Sequence, residues 1–378
     1  MEIDRFKSGR YIKRYGYSSF SPETVNREWL VSNAKVNRLL SEATHKLGEL
    51  NAFSSLIPDV DFFIRMHITK EATQSSRIEG TRTSMEEAVQ RTEYIDPEKR
   101  NDWQEVRNYI DAMNYAIGQL EKLPLSTRLL KQTHKVLLQG VRGKHKLPGE
   151  FRKSQNWIGG ATLTDAAYIP PHHSEVPDLM SDLEKFLNNQ ELQTPLLIRI
   201  GIAHYQFESI HPFLDGNGRS GRLLITLYLV DNHILDKPVL YLSDFFERNR
   251  GLYYDNLTVV RTQNNLVQWL TFFLAGVLEM AEDSIRTLHD VIALRKEVEE
   301  KKIVLLGKRV PLAMQLLRYL YTKPIIDAAE AADVLDVNIS TSHRLIHELE
   351  KLGILHEKTG FKRNQVFVFS EYLNLFER

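Results

Sequence analysis

The sequence predicts a mainly α-helical protein, and three observations carry the prediction. Apolar residues recur at three- and four-residue spacing through most of the chain, as on the face formed by Leu30, Val36, Leu39, Leu40 and Leu47. Runs with strict two-residue alternation are few, so sheet is expected to be marginal. Residues that open and close helices stand where the periodicity changes. Gly80 follows a helix expected over about Phe62 to Glu79, Pro124 splits two helices at 100–123 and 126–138, and Thr194-Pro195 heads another.

Ahead of these helices stands an arm punctuated by Pro, Ser and Gly, then a helix expected near Glu28 to Leu50. From Pro148 to Pro177 the helical periodicity is lost. Gly149, Gly159, Gly160, Pro170 and Pro171 flank two short stretches, Gln155 to Ile158 and Ala167 to Ile169, that read as an exposed β-hairpin. Helices follow at Asp178 to Asn188, from Thr194, near Gly221 to Asn232, at Tyr253 to Thr262 and at Leu266 to Glu279. A charged helix from Ser284 to about Lys302 reads as a connector. Beyond Gly307 the expected order is three helices at 311–321, 327–335 and 340–352, then strands at 354–357 and 366–369, the order of a winged helix-turn-helix. The chain divides into an arm with its helix (1–65), a central core opening on the helix at 66–80 (66–282), a connecting helix (283–308) and a C-terminal winged unit (309–378).

A chain of 378 residues is long enough for two or three packed units, and its hydrophobic (42%) and charged (26%) fractions are those of a globular protein. Lys+Arg and Asp+Glu are 49 each, so no overall field draws the chain to nucleic acid or an anionic membrane. The absence of cysteine excludes disulfides, thiolate nucleophiles, zinc-thiolate sites and iron–sulfur clusters. The N-terminal residues lack the apolar stretch of a signal peptide. The longest apolar run, Trp269 to Leu278, falls short of the ~20 residues that cross a bilayer. A soluble, cytoplasmic protein without membrane contact is the expectation.

Residues 211–222, HPFLDGNGRSGR, concentrate the chemistry. Gly216 and Gly218 permit backbone angles that turn successive N–H groups into a cradle, and a helix expected to start near Gly218 adds its positive end. Arg219 and Arg222 lie three apart on that helix, so both guanidinium forks can reach phosphate oxygens. The combination suits a polyphosphate. Gly216 to Gly221 also spells GxGxxG, but a helix containing Ile198, Ile202 and Tyr205 precedes it in place of a strand, so a dinucleotide fold is not expected. Neither GxxxxGK[ST] nor GxSxG occurs. His204, Glu208 and His211, at spacings of four and three, form an alternative metal triad, to which Pro212 and Phe213 add no ligand. The other reading of His204 is a packing or loop-orienting residue.

Taken whole, the segment resembles the signature of the Fic family, HPFxDGNGRxxR, and matches all of its fixed positions. The resemblance extends over roughly residues 65–280. It implies a Fic-type helical core with the catalytic loop between two central helices, ATP as substrate together with Mg²⁺, and transfer of AMP to a Ser, Thr or Tyr hydroxyl of a protein, with diphosphate released. The partner implied is a protein target, the enzyme itself included; a homodimer is left open. By the same match His211 is the general base, which suits a side chain whose ordinary pKa is about 6.5. Asp215 is the Mg²⁺ ligand, Gly216, Asn217 and Gly218 form the anion nest, Arg219 neutralises the phosphates and Arg222 holds the γ-phosphate. The expected hairpin, with Tyr168 near its end, falls where the family has a β-hairpin flap beside the nucleotide, with an edge on which a target segment could pair. Tyr253 and Tyr254 fall where family members place aromatic contacts to the base or ribose; packing in the core is their alternative.

Residues 75–80, SSRIEG, are similar to the inhibitory motif [ST]xxxE[GN] of many Fic proteins, with Ser75 and Glu79 at its fixed positions. The macrodipole disfavours a carboxylate at a helix C-terminus, so Glu79 calls for a cation. Arg222 is the expected partner, and the pairing would fill the place of the γ-phosphate and hold the enzyme in check. The C-terminal unit raises a second class, a nucleotide-sensing transcriptional regulator that binds DNA. Its charge argues otherwise: from Pro311 to Arg378 eight Lys/Arg stand against nine Asp/Glu. Only Ser340, Thr341, Ser342, His343, Lys358, Lys362 and Arg363 favour DNA, and protein recognition or dimerisation is the preferred role. Removal of AMP, or transfer of another phosphate-linked group, is a third reading of the same site.

Overall fold

The N-terminal arm, expected to be irregular, folds back on itself. Strands β1 (Gly9–Lys13) and β2 (Ser18–Pro22) pair antiparallel with Tyr11 opposite Phe20, in a computed structural model that describes residues 1–57, 60–361 and 364–377. Five residues per strand are too few for a clear alternation signal. The Phe20 N–H donates to Ile169 O at 2.9 Å, which fastens the arm to the segment ahead of the central helices.

Helix α1 (Ala34–Leu56) opens on Asn33, whose side chain accepts from the N–H groups of Lys35 and Val36. Helix α2 (Val60–Ile78) is buried over nearly its whole length, polar residues included, and several of those find partners inside. Lys70 faces Asp244 at 3.8 Å, and Glu71 accepts from Ser243 N at 2.9 Å and from Tyr109 Oη at 3.2 Å. A short helix α3 (Met85–Val89) starts at a capping box in which Ser84 and Glu87 exchange side-chain to backbone bonds. Helices α4 (Arg100–Leu120) and α5 (Thr127–Leu137) pack together, with α5 capped by Ser126.

Between α5 and helix α6 (Val176–Asn188) the chain is irregular. The expected β-hairpin reduces there to one antiparallel bridge, Ile158 with Tyr168, bonded N–H to C=O at 2.8 and 3.1 Å. Two features stop the ladder. Asp165 takes the N–H groups of Ala161 and Thr162 into a tight loop, and Pro170 and Pro171 have no N–H to extend the pairing.

Helices α7 (Leu196–Ile210) and α8 (Asn217–Asp231) are buried on all sides and form the centre of the molecule. Helices α9 (Leu242–Arg248), α10 (Arg250–Gln263) and α11 (Leu266–Glu297) enclose them. The two helices expected at 266–279 and 284–302 are one helix through Glu297. No Gly or Pro interrupts 280–283, and Met280, Ala281, Ser284 and Ile285 stay buried along the helix's inner face. A π turn (298–302) and a 3₁₀ stretch (303–309) follow.

Helix α12 (Val310–Thr322), strand β3 (Ile325–Asp327), helices α13 (Ala328–Leu335) and α14 (Ile339–Lys351), strands β4 (His356–Glu357) and β5 (Val366–Val368), and helix α15 (Ser370–Leu373) complete the chain. The three strands form an antiparallel sheet in the order β3-β5-β4. This unit rests directly on α2, with Phe63 against Tyr321 at 5.5 Å between ring centroids and His67 against Phe376 at 5.2 Å. Arg91 and Tyr94 add contacts to Asp327, the latter donating its hydroxyl at 2.9 Å. Of the residues that favoured DNA, Ser342 is buried and donates to Ala328 O, and Lys358 is paired with Glu86. Lys362 and Arg363 lie outside the described residues. Among the described residues no helix is long and apolar enough to cross a membrane.

Candidate active site

His211 closes α7 in a left-handed conformation (φ 49°, ψ 61°), its N–H bonded to Phe207 O at 2.9 Å. The chain then turns through Gly216 (φ 72°), a conformation glycine adopts without a Cβ penalty, and enters α8. Asn217 ties the turn across its base: its Oδ1 accepts from Phe213 N at 2.8 Å and its Nδ2 donates to Phe213 O at 2.9 Å. A second tie comes from Asn156, whose Nδ2 donates to Phe213 O at 2.9 Å. A third is His134 of α5. Gly149 N–H donates to its Nδ1 at 2.9 Å, so Nε2 carries the proton and donates to Asp215 O at 2.9 Å. The ring stacks on Phe213 at 3.7 Å. Burial holds His134 neutral, its pKa lowered to about 4.

His211 is neutral as well. Burial first, then the Arg152 guanidinium, lowers it to about 4. Its Nδ1 is buried without a partner. A neutral imidazole is the form able to accept a proton near pH 7.

The N-terminal turn of α8 holds an anion supplied by the protein itself. Arg222 Nη2 donates to Glu79 Oε1 at 2.6 Å and to Ser75 O at 2.9 Å, and its Nε donates to Ser75 Oγ at 2.9 Å. The expected Glu79–Arg222 pair is therefore formed. A Cβ on Gly218 would stand 2.2 Å from Glu79 Oε1. Gly218 is thus needed for space and not for an unusual φ, which of the two glycines only Gly216 has. Burial alone would raise the Glu79 carboxyl, but Arg222 and then Arg219 hold it below the ordinary carboxylate value. The Glu79 side chain is still 36% exposed. Arg219, expected to offer a free fork, is buried against Glu105 of α4 at 3.1 Å and lies 3.9 Å from Asp215.

Two of the three tyrosines are spent on the core. Tyr253 is buried against Phe246, and its hydroxyl donates to His204 Nε2 at 2.8 Å. Tyr168 donates to Ser209 O at 2.6 Å beneath the Arg261 guanidinium. Only Tyr254, 41% exposed, keeps an accessible ring, beside Tyr253 and within the field of Glu79, which with burial raises its phenol.

The alternative metal triad does not assemble. His204 donates from Nδ1 to Gly221 O at 2.9 Å and accepts from Tyr253 at Nε2, so both nitrogens are used, and burial lowers it to about 3. Glu208 lies under Gly221 with Oε1 unpartnered, its carboxyl pushed up by burial to about 7. Among the described residues no group of three or more His, Cys, Asp or Glu is arranged to hold a metal. Asp215 stands 40% exposed, with Oδ1 accepting from Gly216 N at 2.6 Å. A lone carboxylate of this kind fits Mg²⁺, which takes its remaining ligands from phosphates and water.

Comparison with known proteins agrees with this loop. A family model described as Fic/DOC family N-terminal matches residues 37–118, and the Fic/DOC family model matches 124–229, which includes the loop. A protein adenylyltransferase Fic of Drosophila erecta is 32% identical over 121 residues, 32% of this chain and 23% of the relative. One of Aedes aegypti is 28% identical over 191 residues, 50% of this chain and 34% of the relative. The chain thus spans well under two thirds of these relatives. Among solved structures, a Fic family protein from Desulfovibrio desulfuricans superposes over 90% of this chain and 98% of its own, with TM-score 0.58 at 21% identity. A Fic domain containing signaling protein from Bacteroides thetaiotaomicron covers 67% of this chain and 96% of its own, with TM-score 0.51 at 16% identity. These likenesses concern the fold. With the matched models and the loop in agreement, residues 37–118 and 124–229 of the chain are those of the Fic/DOC family.

Proposed function

We propose that the chain is a protein adenylyltransferase restrained by its own Glu79. The observation that carries the proposal is the carboxylate lodged over Gly218 and against Arg222: the first turn of α8 already binds an anion at the place a terminal phosphate would take. The names of the relatives support the same reaction class.

In the proposed reaction the oxygen of an acceptor hydroxyl bonds to the α-phosphorus of ATP while the bond from that phosphorus to the diphosphate oxygen breaks. Neutral His211 takes the hydroxyl proton. The N–H groups at the start of α8, with Arg219 and Arg222, stabilise the charge on the phosphates, so the catalytic work is positioning and neutralisation. Mg²⁺ held by Asp215 would supply further neutralisation of the phosphates. Tyr254 is the aromatic residue left to meet the base or ribose. With Glu79 on Arg222, the terminal phosphate has no place in the productive pose, which is the proposed restraint.

The test uses ATP labelled at either the α- or the γ-phosphate, with Mg²⁺, on the wild-type chain and on Glu79→Gly. The proposal expects α-label on Glu79→Gly protein, no γ-label, and loss of the α-label with His211→Ala added. Retention of γ-label, or no label on Glu79→Gly, would overturn it.

A further inference from the structure

Arg152 stands outside the motif and is buried, with no carboxylate against it among the described residues. A buried guanidinium is costly unless its donors are matched. Here carbonyls match them. Nε donates to His211 O at 2.9 Å, and Nη2 donates to Ile210 O at 3.3 Å and to Pro171 O at 2.5 Å. Nη1 reaches Ser154 O at 3.4 Å, and the Arg152 backbone N–H donates to Pro212 O at 2.9 Å.

These acceptors belong to two groups. Ile210, His211 and Pro212 are the end of α7 and the turn that carries the imidazole, where helix carbonyls present the negative end of the dipole. Ser154 and Pro171 are the two ends of the segment whose middle is the single Ile158–Tyr168 bridge. One planar fork therefore joins both ends of that segment to the His211 turn. Asn156 repeats the connection at smaller scale, its Nδ2 lying 3.4 Å from His211 O. His211 sits in a left-handed conformation uncommon for a residue with a Cβ, and these bonds to its carbonyl help to hold it there.

We propose that Arg152 is a positioning residue: its five-donor fork holds the backbone of His211 in the turn that aims the imidazole at the incoming hydroxyl, and locks that turn to the bridge segment alongside. The inference rests on the adenylyltransferase reading. Arg152 touches neither nucleotide nor hydroxyl in it, so its loss should slow the chemical step without weakening ATP binding. A lysine keeps the charge but offers donors from a single point and cannot span both groups of carbonyls.

The experiment measures kcat and the KM for ATP of self-modification in Glu79→Gly protein carrying Arg152→Met or Arg152→Lys, with thermal melting of each. Displacing a catalytic group by about an ångström costs on the order of a hundredfold in rate. Arg152→Met should lose about that much in kcat with KM unchanged, and Arg152→Lys should recover part of the loss. Unchanged kcat in either variant would overturn the proposal. A parallel fall in kcat and rise in KM would also overturn it, as would loss of the melting transition in both variants, since each makes Arg152 a structural pillar only. Absence of label on the Glu79→Gly parent is a separate outcome that overturns the adenylyltransferase reading itself.

Discussion

The loop from His211 to Arg222 and the turn from Ser75 to Gly80 meet across one ion pair, yet they are secured differently. The loop is tied from four sides, by Asn217 within it and by His134, Arg152 and Asn156 from outside, each bonded to a backbone group. The turn has few such supports beyond Arg222. Glu79 N and Thr81 N both donate to Ser76 O, Gly80 N donates to Arg77 O, and the Glu79 side chain reaches solvent. Below it, α2 is fixed by Lys70, Glu71 and the rings of the C-terminal unit. The difference teaches where change is cheap: at the end of α2 only Glu79 and Gly80 are exposed, while Ser75, Ser76 and Ile78 stay buried with the helix. The proposed restraint would then be released by the Glu79 side chain turning to solvent and not by withdrawal of the helix.

The comparison breaks most visibly at His211. In Glu79→Gly protein, His211→Ala should reduce label transfer by about 10²- to 10⁴-fold, the contribution typical of a general base. Glu79→Gly alone should raise transfer by roughly 10- to 150-fold over wild type, as about 1.5–3 kcal/mol of charge-assisted bonding to Arg222 is released to the ligand. Asn217→Ala attacks the loop from within. It leaves Phe213 N without its partner, so denaturant melts should show about 1–3 kcal/mol of lost stability, together with slower transfer.

Acidification separates the two regions. His67, His134, His204 and His211 are all depressed by burial, to about 4, 4, 3 and 4, so the unfolded chain binds more protons below its ordinary histidine pKa. The stability they contribute is complete above about 6.5 and declines as pH falls toward 4, which melting curves at pH 7 and 5 would register as a lower Tm at pH 5. Glu79 behaves differently. Its carboxyl is held below the ordinary value, so the pair with Arg222 is present above that value and lost only as pH falls through the lowered one. Acid should therefore loosen the histidine-bearing core before it frees the Ser75–Gly80 turn. The smallest effect belongs to Ser75→Ala, which removes one acceptor from Arg222 but keeps the carbonyl. A gain in transfer below that of Glu79→Gly is expected, for a bond worth about 1 kcal/mol.

What could be read in the sequence was chemistry packed into a short stretch. HPFLDGNGRSGR carries the proposed base, cradle and arginines within twelve positions, and SSRIEG ends a helix at Gly80, so both stand out before any tertiary contact. His134 and Arg152 act at a loop many residues away, and nothing local distinguishes them from a helix histidine and a surface arginine. Tyr253 and Tyr254 are neighbours in sequence that face opposite ways on one helix, one into the Phe246 and Trp269 rings, the other outward. The segment around Ile158 and Tyr168 reads as a β-hairpin and forms only one bridge, because side chains such as Asp165 and Gln155 capture the groups a hairpin ladder would need. Ser84-Met85-Glu86-Glu87 shows the opposite case, a capping signal present in the sequence that heads α3.

The most direct measurement compares ATP and AMP binding to the wild-type chain and to Glu79→Gly by calorimetry, with Mg²⁺ present. If Glu79 and a terminal phosphate compete for Arg222, removing the carboxylate should tighten ATP by at least about tenfold, as a charge-assisted bond to Arg222 becomes free for the ligand, and leave AMP unchanged. Equal gains for both nucleotides, or no gain for ATP, would contradict that competition.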